Sequence, residues 1–442
     1  MAQQARKKKA GKGEEKATET RKAGSQTTST VVWSAALVAV IAVGYGVAAM
    51  YSLSPSELPN DLVAADSAGV QSLTVRFRDA GSPDRITYEV NSTFTKIDFE
   101  KHIKASSLYD ARNGKELKTW ADVSKVSAAL KDREVVLLRG PRKDTPSIRN
   151  FMWPAAELGK RFAVADVPRS SSRAPKIELE ALSVNPRVFY VHNFMSPEEA
   201  DKLVARAVDP SNPYSIRPST VGHQAWNQGA GKDATNPTRT SENAFDIDSP
   251  TARKLKDRAW KLLRLSGKYD EAMVDGIQVL RYKLKQAYIP HMDAFNAHQS
   301  PDHNWNPEEG GTNRFATLLL YLSDVEEGGQ TVFKYTDAQD ATPVPKHAAS
   351  LFKKGSWEMD MVQDCYSKLA PKAKKGSAVL FYSQDELGAM NQMATHGGCP
   401  VLNGTKWAAN LWFWNQCRFS QCKKWHAENV ADLKPVPGQA DQ

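Results

Sequence analysis

The sequence predicts an α+β protein whose C-terminal half is a β-sandwich or jelly roll with helices packed outside it. Two helical segments come first and each begins with a Ser-Pro pair: one starts at Ser196, and the other runs from Ser249 to Gly267. Four short strand-like segments follow, "IQVLRYKL", "FATLLLYLS", "SAVLFYS" and "WAANLWFW". Helices followed by many short strands are typical of this architecture.

Length and charge limit the possible classes. A chain of 442 residues is long enough for more than one folded unit, and its 41% apolar and 25% charged residues are typical of a globular protein. The net charge of +9 is uneven, because residues 1–30 hold eight Lys and Arg against three Glu. The basic charge therefore belongs largely to a tail and is weak evidence for a nucleic-acid partner.

Residues 31–53 predict a transmembrane helix. This stretch contains 23 uncharged residues, with Trp33 and Tyr51 near its ends, and that length can cross a bilayer. Basic residues precede it and acidic residues follow it, so the positive-inside rule predicts an uncleaved signal anchor with the bulk of the chain on the lumenal side. A cleaved signal peptide is the alternative, although its apolar region is usually shorter, about 7–15 residues.

Changes in composition divide the chain into seven segments. They are a basic cytosolic tail (1–30), the anchor (31–53), a linker (54–70), a small mixed α/β domain (71–142), a second linker or irregular wrapper (143–177), the jelly-roll domain (178–425) and a C-terminal tail (426–442). The small domain is predicted from "SLTVRFRD", "RITYEV", "EVVLLRG" and the helical "TWADVSKVSAALKD", and it faintly resembles β-grasp domains. It contains no catalytic motif.

The chain contains four cysteines, Cys365, Cys399, Cys417 and Cys422. A lumenal location permits disulfides, and Cys417 and Cys422 are close enough in sequence to pair, but the connectivity stays open. Two sequons, at Asn91 and Asn403, are glycan acceptors only if the bulk of the chain is lumenal.

A candidate metal site begins at "YIPHMDAF", residues Tyr288 to Phe295. Alternate residues of a strand share a face, so His291 and Asp293 can reach one ion, although two solvated loop residues are the alternative. His396 offers a third ligand on another strand, and two His with one carboxylate form the facial triad of non-haem Fe(II) oxygenases. Such a site needs a bidentate co-substrate.

Lys406 is the candidate partner for the distal carboxylate of that co-substrate. It lies ten residues after His396 and follows an Asn403-Gly404 turn, which places it on the returning strand. A solvated lysine at a strand edge is the alternative.

Residues 178–419 resemble the catalytic domain of prolyl 4-hydroxylases, which are 2-oxoglutarate- and Fe(II)-dependent dioxygenases. The resemblance rests on several segments in order: "LSVNPRVFYVHNFMSPEEADKLV", "RTSENAF", "LRYKLKQAYIPHMDAF", "NRFATLLLYLSDVEEGGQTVF", "PKAKKGSAVLFY" and "HGGCPVLNGTKWAANLWFW". It implies a double-stranded β-helix, which is a variant of the jelly roll.

The resemblance also implies the roles of individual side chains. The implied iron ligands are His291, Asp293 and His396. The implied ligands of the 2-oxoglutarate C5 carboxylate are Lys406, Tyr282 and Thr331. The implied residues of the peptide groove near the iron are Tyr288, Arg314 and Trp412. The implied residues of a loop that folds over the substrate are Arg239 and Ser241.

Simpler interpretations exist for some of these residues. Tyr282 and Trp412 could be core aromatics, Arg314 could be a surface ion-pair partner, and Thr331 could serve a turn after two glycines.

The sequence also departs from the family's pattern. His298 and His303, in the long polar segment 296–313, are interpreted as loop residues rather than ligands. Asn391 stands where an Asp is common before the distal His, which puts a contact around the metal ligands in doubt.

The implied reaction is 4-hydroxylation of peptidyl proline with Fe(II), 2-oxoglutarate, O2 and L-ascorbate. Proline-rich substrates would lie as polyproline II in an aromatic groove, and the enzyme would be a single-pass type II protein of the endoplasmic reticulum or Golgi membrane.

Three alternatives remain: a related dioxygenase acting on lysine or a nucleic-acid base, a catalytically silent membrane-tethered peptide-binding module, and a lectin-like jelly roll. Lys rather than Arg at position 406 favours a prolyl over a lysyl hydroxylase, and the anchor argues against nucleic acid. The sequence makes no prediction of oligomeric state.

Overall fold

The computed structural model describes residues 73–79, 85–90, 105–119, 121–123, 125, 134–139, 150–155, 157–219, 238–265, 268–301, 303–419 and 422. The predicted tail, anchor and linker at 1–30, 31–53 and 54–70, and the C-terminal tail at 426–442, lie outside these residues. Within them, no helix combines the length and the apolar character that crossing a bilayer requires. The membrane anchor therefore stays a prediction.

The first described element is a small mixed sheet. Its strands are β1 (Leu73–Asp79), β2 (Arg85–Val90), β3 (Ala105–Asp110) and β4 (Glu134–Arg139). The order is β2-β1-β4-β3, with β1 parallel to β4 and the two outer pairs antiparallel. Strands β1 and β2 lie where alternation of apolar and polar residues predicts them, and β4 lies in the predicted buried-type strand "EVVLLRG".

Two antiparallel sheets make up the larger part of the fold. Their strands, with a two-stranded pair beside them, are β5 (Arg161–Ala163), β6 (Glu178–Ser183), β7 (Val188–His192), β8 (Arg217–Pro218), β9 (Glu242–Asp246), β10 (Ile277–Tyr282), β11 (Tyr288–His291), β12 (Arg314–Tyr321), β13 (Glu327–Gly328), β14 (Thr331–Asp337), β15 (Lys368–Leu369), β16 (Ala378–Tyr382), β17 (His396–Gly398), β18 (Val401–Asn403) and β19 (Lys406–Trp414). The large sheet has the order β5-β6-β7-β16-β12-β19-β10-β9-β8, the small sheet β11-β17-β14-β15, and β13 pairs with β18.

The helices are α1 (Pro197–Val208), α2 (Pro250–Leu262), α3 (Ala348–Leu351) and α4 (Trp357–Ser367). Ser196 caps α1 in a capping box with Glu199, and Ser249 caps α2, so both Ser-Pro openings begin helices as predicted. The predicted end of α2 at Gly267 is wrong. The helix ends at Leu262 because Arg264 adopts a left-handed conformation, from which its guanidinium donates to the Ala165 carbonyl at 2.6 Å.

Strand β12 shows why the large sheet is buried on both faces. Leu318 and Leu320 belong to the hydrophobic cluster that includes the buried side chains of α1 and α2. Leu319 and Tyr321 instead pack with Phe333 of the small sheet. Because successive side chains of a strand alternate, one face contacts the helices and the other contacts the second sheet. The predicted jelly-roll core with helices outside it is confirmed.

The segment predicted as a linker or wrapper, 143–177, lies against this core in its described part. Phe151, Met152 and Trp153 are buried, and Trp153 Nε1 donates to the Leu262 carbonyl at 2.8 Å. Strand β5 then adds to the edge of the large sheet. Residues 150–155 and 157–163 are therefore part of the fold that carries the site.

Disulfides join Cys365 to Cys399 and Cys417 to Cys422. The first connects α4 to the residue that follows β17, and the second closes a short loop after β19. The pairing of Cys417 with Cys422 agrees with their spacing in the sequence.

Candidate active site

Two neighbouring strands of the small sheet bring the predicted metal ligands together. His291 at the end of β11 lies opposite His396 at the start of β17. Asp293 reaches both imidazoles: its Oδ1 lies 3.6 Å from His291 Nε2, and its Oδ2 lies 3.5 Å from His396 Nε2. One ligand atom from each of the three side chains lies within 4.8 Å of the others. The fold thus brings together His291 and His396, which are 105 positions apart in the sequence.

Backbone carbonyls fix the orientation of both imidazoles. His291 Nδ1 lies 2.9 Å from the Ile289 carbonyl oxygen, and His396 Nδ1 lies 3.0 Å from that of Ala394. A carbonyl oxygen only accepts, so each Nδ1 carries the proton and each Nε2 keeps its lone pair for a metal. The two imidazoles are therefore set as ligands before any ion binds.

Burial and charge set the protonation states that a divalent cation requires. His396 is 6% exposed, and burial lowers its pKa to about 4, so the ring is neutral at physiological pH. Burial opposes ionisation of Asp293, but the nearby His396 and His291 outweigh it and hold the pKa of the carboxyl below its ordinary value. Neutral imidazoles and an ionised carboxylate are the forms that bind metal.

This donor set fits Fe(II). Two imidazole nitrogens and one carboxylate on one side of a barrel leave further coordination positions open, as in the 2-His-1-carboxylate oxygenases. Within the described ranges, these three residues are the single group of His, Cys, Asp or Glu side chains arranged to hold a metal. They would hold the iron through His291 Nε2, His396 Nε2 and the Asp293 carboxylate.

Thr317 also contacts the triad, and sequence reasoning missed it. Its Oγ1 donates to Asp293 Oδ2 at 2.7 Å from the middle of β12. This bond orients the carboxylate and leaves Oδ1 toward His291. A polar residue inside the buried run "FATLLLY" was the available indication.

Lys406 lies at the base of the same barrel as a buried cation. It begins β19 opposite Tyr282 of β10, is 2% exposed, and donates to the Gln330 carbonyl at 3.5 Å. Burial lowers its pKa to about 7. Among the described residues, no carboxylate forms an ion pair with Lys406. A buried ammonium without an anion is costly, which suits it to a carboxylate that arrives with a ligand.

Aromatic rings and hydroxyl groups surround this ammonium. Lys406 Nζ lies 5.4 Å from the Tyr282 ring centroid and 5.7 Å from that of Tyr321. Tyr321 OH donates to Thr331 Oγ1 at 3.1 Å, and Thr331 is buried. Its role as a ligand of the distal carboxylate stays a prediction. Tyr321 was not predicted; it lies on the same strand as Thr317.

Arg314 and Trp412 form one wall near the triad. The Arg314 guanidinium carbon lies 3.7 Å from the Trp412 ring centroid, and Nη1 donates to the Asp293 carbonyl at 3.1 Å. Arg314 also forms the ion pair that the simpler interpretation expects, since Nη2 lies 2.9 Å from Asp275 Oδ2. The ion pair holds the guanidinium over the Trp412 ring and against the backbone of a metal ligand.

Asp275 is a second residue that no motif indicated. Besides Arg314, its carboxylate accepts from Trp414 Nε1 at 3.1 Å and from Arg418. It lies just before β10, at a position without a distinctive sequence pattern. Asp275 therefore positions Arg314 rather than facing the metal.

Tyr288 contacts one of the metal ligands, and Arg239 and Ser241 come from the segment just before β9. The Tyr288 ring stacks on His291 with centroids 3.8 Å apart, and the Arg239 guanidinium carbon lies 4.7 Å from the Tyr288 centroid. Ser241 Oγ donates to Ser219 Oγ at 3.0 Å, which joins the two sides of segment 220–237. That segment lies outside the described residues, so the predicted loop over the substrate stays a prediction.

The two loop histidines and Asn391 are separate from the triad. His298 Nδ1 contacts the Asn296 carbonyl, and His303 Nε2 contacts Thr312 Oγ1 at 2.6 Å. The Asn391 amide donates to Asn185 Oδ1 at 2.9 Å and its oxygen accepts from Met393 N. Asn391 therefore shapes the turn before His396.

Fold and site together define a facial-triad oxygenase, and comparison with known proteins supports this class. Residues 277–414 match the family model described as the 2OG-Fe(II) oxygenase superfamily. The chain is 32% identical over 237 residues to probable prolyl 4-hydroxylase 3 of Arabidopsis thaliana, covering 53% of this chain and 71% of that protein. It is 31% identical over 240 residues to prolyl 4-hydroxylase 1 of the same plant, covering 54% and 73%.

Among solved structures, the viral collagen prolyl hydroxylase of Paramecium bursaria Chlorella virus-1, in complex with 2-oxoglutarate, is 22% identical with a TM-score of 0.32, covering 51% of this chain and 95% of that one. On the sequence relationships, the chain belongs to the prolyl 4-hydroxylase family of 2-oxoglutarate- and Fe(II)-dependent oxygenases.

Proposed function

We propose that this protein hydroxylates peptidyl proline at C4 in proline-rich proteins of the secretory pathway, with Fe(II), 2-oxoglutarate and O2. One observation carries the proposal: the His291, Asp293 and His396 ligand set shares a barrel with the buried ammonium of Lys406, for which the described part of the chain supplies no carboxylate partner. A metal site alone suits many enzymes, but a deep cation beside it suits a dicarboxylate co-substrate that binds at both ends.

Bound iron supplies the oxidation chemistry, in which 2-oxoglutarate and O2 yield succinate, carbon dioxide and a hydroxylated C–H position. The residues of this chain bind and orient the participants. Lys406 and Thr331 hold the distal carboxylate, with Tyr282 beside them, which directs the 2-oxo end toward the triad. Phe381, whose ring centroid is 4.4 Å from that of His396, helps to exclude water from the metal ligands.

In this proposal, the peptide groove is lined by two Arg–aromatic pairs that contact triad residues, Arg239 with Tyr288 and Arg314 with Trp412. Rigid rings flanking a narrow site suit the extended, preformed polyproline II conformation. L-Ascorbate is the expected reductant for iron that is oxidised without peptide turnover, as the family resemblance implies.

The proposed location is the lumenal side of the endoplasmic reticulum or Golgi membrane, with residues 31–53 as a type II anchor. The disulfides Cys365–Cys399 and Cys417–Cys422 support it, since disulfides persist in oxidising compartments and are rare in the cytosol.

The test is release of carbon dioxide from 2-oxoglutarate labelled at C1 by the full-length chain, with Fe(II), ascorbate and a poly-proline peptide. We expect peptide-stimulated release and 4-hydroxyproline by mass spectrometry. H291A and H396A should each abolish both. H298A is the matched control, because His298 makes the same contact to a carbonyl two residues earlier but lies outside the triad.

Other outcomes identify the alternatives. Tight peptide binding without carbon dioxide release would favour the silent peptide-binding module. Release stimulated by a lysine peptide and not by poly-proline would favour the related dioxygenase. Glycan binding without either activity would favour the lectin-like jelly roll.

A further inference from the structure

The turn between β18 and β19 presents an asparagine on the surface within an acceptor tripeptide. Asn403, Gly404 and Thr405 form an Asn-x-Thr sequon. Val401 and Leu402 are buried in β18, whereas Asn403 is exposed. Asn403, the one side chain of β18 that can accept a glycan, is therefore exposed to solvent.

The backbone at this turn is fixed by its neighbours. Asn403 lies opposite Glu327 in the pairing of β13 with β18. Gly404 has a φ of 86°, in the left-handed region that favours glycine, so the middle position of the sequon suits this turn. The Thr405 carbonyl accepts from Ser323 Oγ at 3.3 Å. An exposed asparagine on an ordered turn can carry a large substituent without displacing buried groups.

The Asn403 side chain lies on the opposite side of the barrel wall from Lys406. Lys406 follows the turn and points into the barrel, where it is 2% exposed. Asn403 points outward from the same short stretch. A sugar at Asn403 would therefore extend from the outside of the wall whose inner side holds the 2-oxoglutarate end of the site.

We propose that Asn403 carries an N-linked glycan. In this transfer, the Asn403 side-chain amide nitrogen forms a bond to the anomeric carbon of an oligosaccharide on a lipid pyrophosphate. The bond from that carbon to the pyrophosphate oxygen breaks, and the amide loses a proton. The proposal rests on the lumenal placement given under the proposed function, because the modification occurs on that side of the membrane.

The experiment uses the full chain expressed in eukaryotic cells, with N91Q as background so that the other sequon cannot contribute. The N91Q chain should carry one glycan, seen as a mass decrease on treatment with peptide N-glycosidase F and as conversion of Asn403 to Asp in the peptide map. The N91Q/N403Q chain should show neither change.

A matched positive control tests, independently of Asn403, whether the barrel domain lies on the lumenal side of the membrane. K354N creates a sequon with Gly355 and Ser356 at another exposed turn, where Gly355 has a φ of 78° and open space around it. The N91Q/K354N chain should carry two glycans. If it carries one, at position 354, the placement stands and the Asn403 proposal is overturned. If it carries none, both the placement and the proposal fail.

Catalysis gives a further check that the glycan lies outside the site. Turnover by N403Q should stay within about twofold of wild type, since exposed substitutions away from buried contacts have small effects. A loss of turnover with retained folding would contradict the outward placement of Asn403.

Discussion

Each imidazole of the triad is held in one tautomer by the carbonyl two residues before it, from Ile289 to His291 and from Ala394 to His396. The carboxylate between them is held by Thr317. All three ligands are thus oriented by groups that do not touch the metal, which is how protein sites raise metal affinity and keep ligand geometry.

Removing the Thr317 hydroxyl tests this arrangement. T317V keeps the shape of the side chain but leaves Asp293 Oδ2 without its donor, so the affinity for Fe(II), or for Co(II) as a spectroscopic substitute, should fall by about 10–100-fold. T317S retains the hydroxyl and should bind metal nearly as wild type does. Equal metal affinity in all three proteins, measured by titration, would show that the hydrogen bond has no such role.

The buried ammonium of Lys406 predicts a dependence of 2-oxoglutarate binding on pH. Burial lowers the pKa of Lys406 to about 7 in the ligand-free protein, and the distal carboxylate binds the charged form. Affinity should therefore be highest below about pH 7 and should weaken by roughly tenfold per pH unit above it, until the pKa of the complex is reached. Calorimetric titration across this range measures it, and a flat profile would contradict the assignment.

K406M separates binding from stability. It should weaken 2-oxoglutarate binding by about 100-fold or more, because a buried carboxylate loses its charged partner.

The folded pKa of Lys406 lies below its ordinary 10.5, so the unfolded chain binds more protons between about 7 and 10.5. The ligand-free wild type therefore gains stability as pH rises through this window. Ligand-free K406M should melt at a higher temperature than wild type at pH 6, and a lower temperature would oppose this account.

At the level of elements, the site depends on the small sheet staying beside α4. The disulfide from Cys365 to Cys399 ties that helix to the end of β17, three residues after His396. Its sulfurs lie in a cluster with Val332 and Met361. This covalent link and its packing hold the strand that carries the distal imidazole.

Replacing the pair by C365A/C399A should lower the free energy of unfolding by about 4 kcal/mol, from loop-closure entropy over a separation of 34 residues. C417A/C422A is the comparison, since its separation of 5 residues predicts only about 2 kcal/mol. Urea unfolding measures both. An equal or reversed order would show that the first disulfide does not stabilise the barrel as proposed.

For the whole molecule, the jelly roll is completed by residues that precede it in sequence. Trp153 is 0% exposed, its backbone N–H donates to the Tyr382 hydroxyl, and its ring lies 5.6 Å from the Arg264 guanidinium carbon. The sequence predicted a domain that starts at residue 178, but the contacts of Trp153 and the pairing of β5 with β6 place described residues before 178 in the same fold.

Truncation tests where the folded unit begins. A chain covering 178–425 should be unstable or aggregate, whereas a chain covering 143–425 should fold. In the full chain, W153A should cost about 3–5 kcal/mol of folding free energy because it opens a large buried cavity. Circular dichroism and thermal unfolding measure these outcomes, and a stable, cooperative 178–425 fragment would overturn this boundary.

Sequence alone could identify the jelly roll, the helix starts and the principal site residues, because strand alternation, Ser-Pro caps and family motifs are local patterns. It could not identify Thr317, Tyr321 or Asp275, since their roles arise from strand pairing between distant segments. The end of α2 was missed for the same reason, because contacts of Arg264 with residues before β6 override the glycine pattern.

The most direct test of the central claim is anomalous diffraction at the iron edge from crystals grown without oxygen, with Fe(II) and 2-oxoglutarate. We expect one iron bonded to His291 Nε2, His396 Nε2 and the Asp293 carboxylate, with the distal carboxylate of 2-oxoglutarate on Lys406 Nζ. Iron bound at any other group of side chains, or a 2-oxoglutarate whose distal carboxylate points away from Lys406, would contradict it.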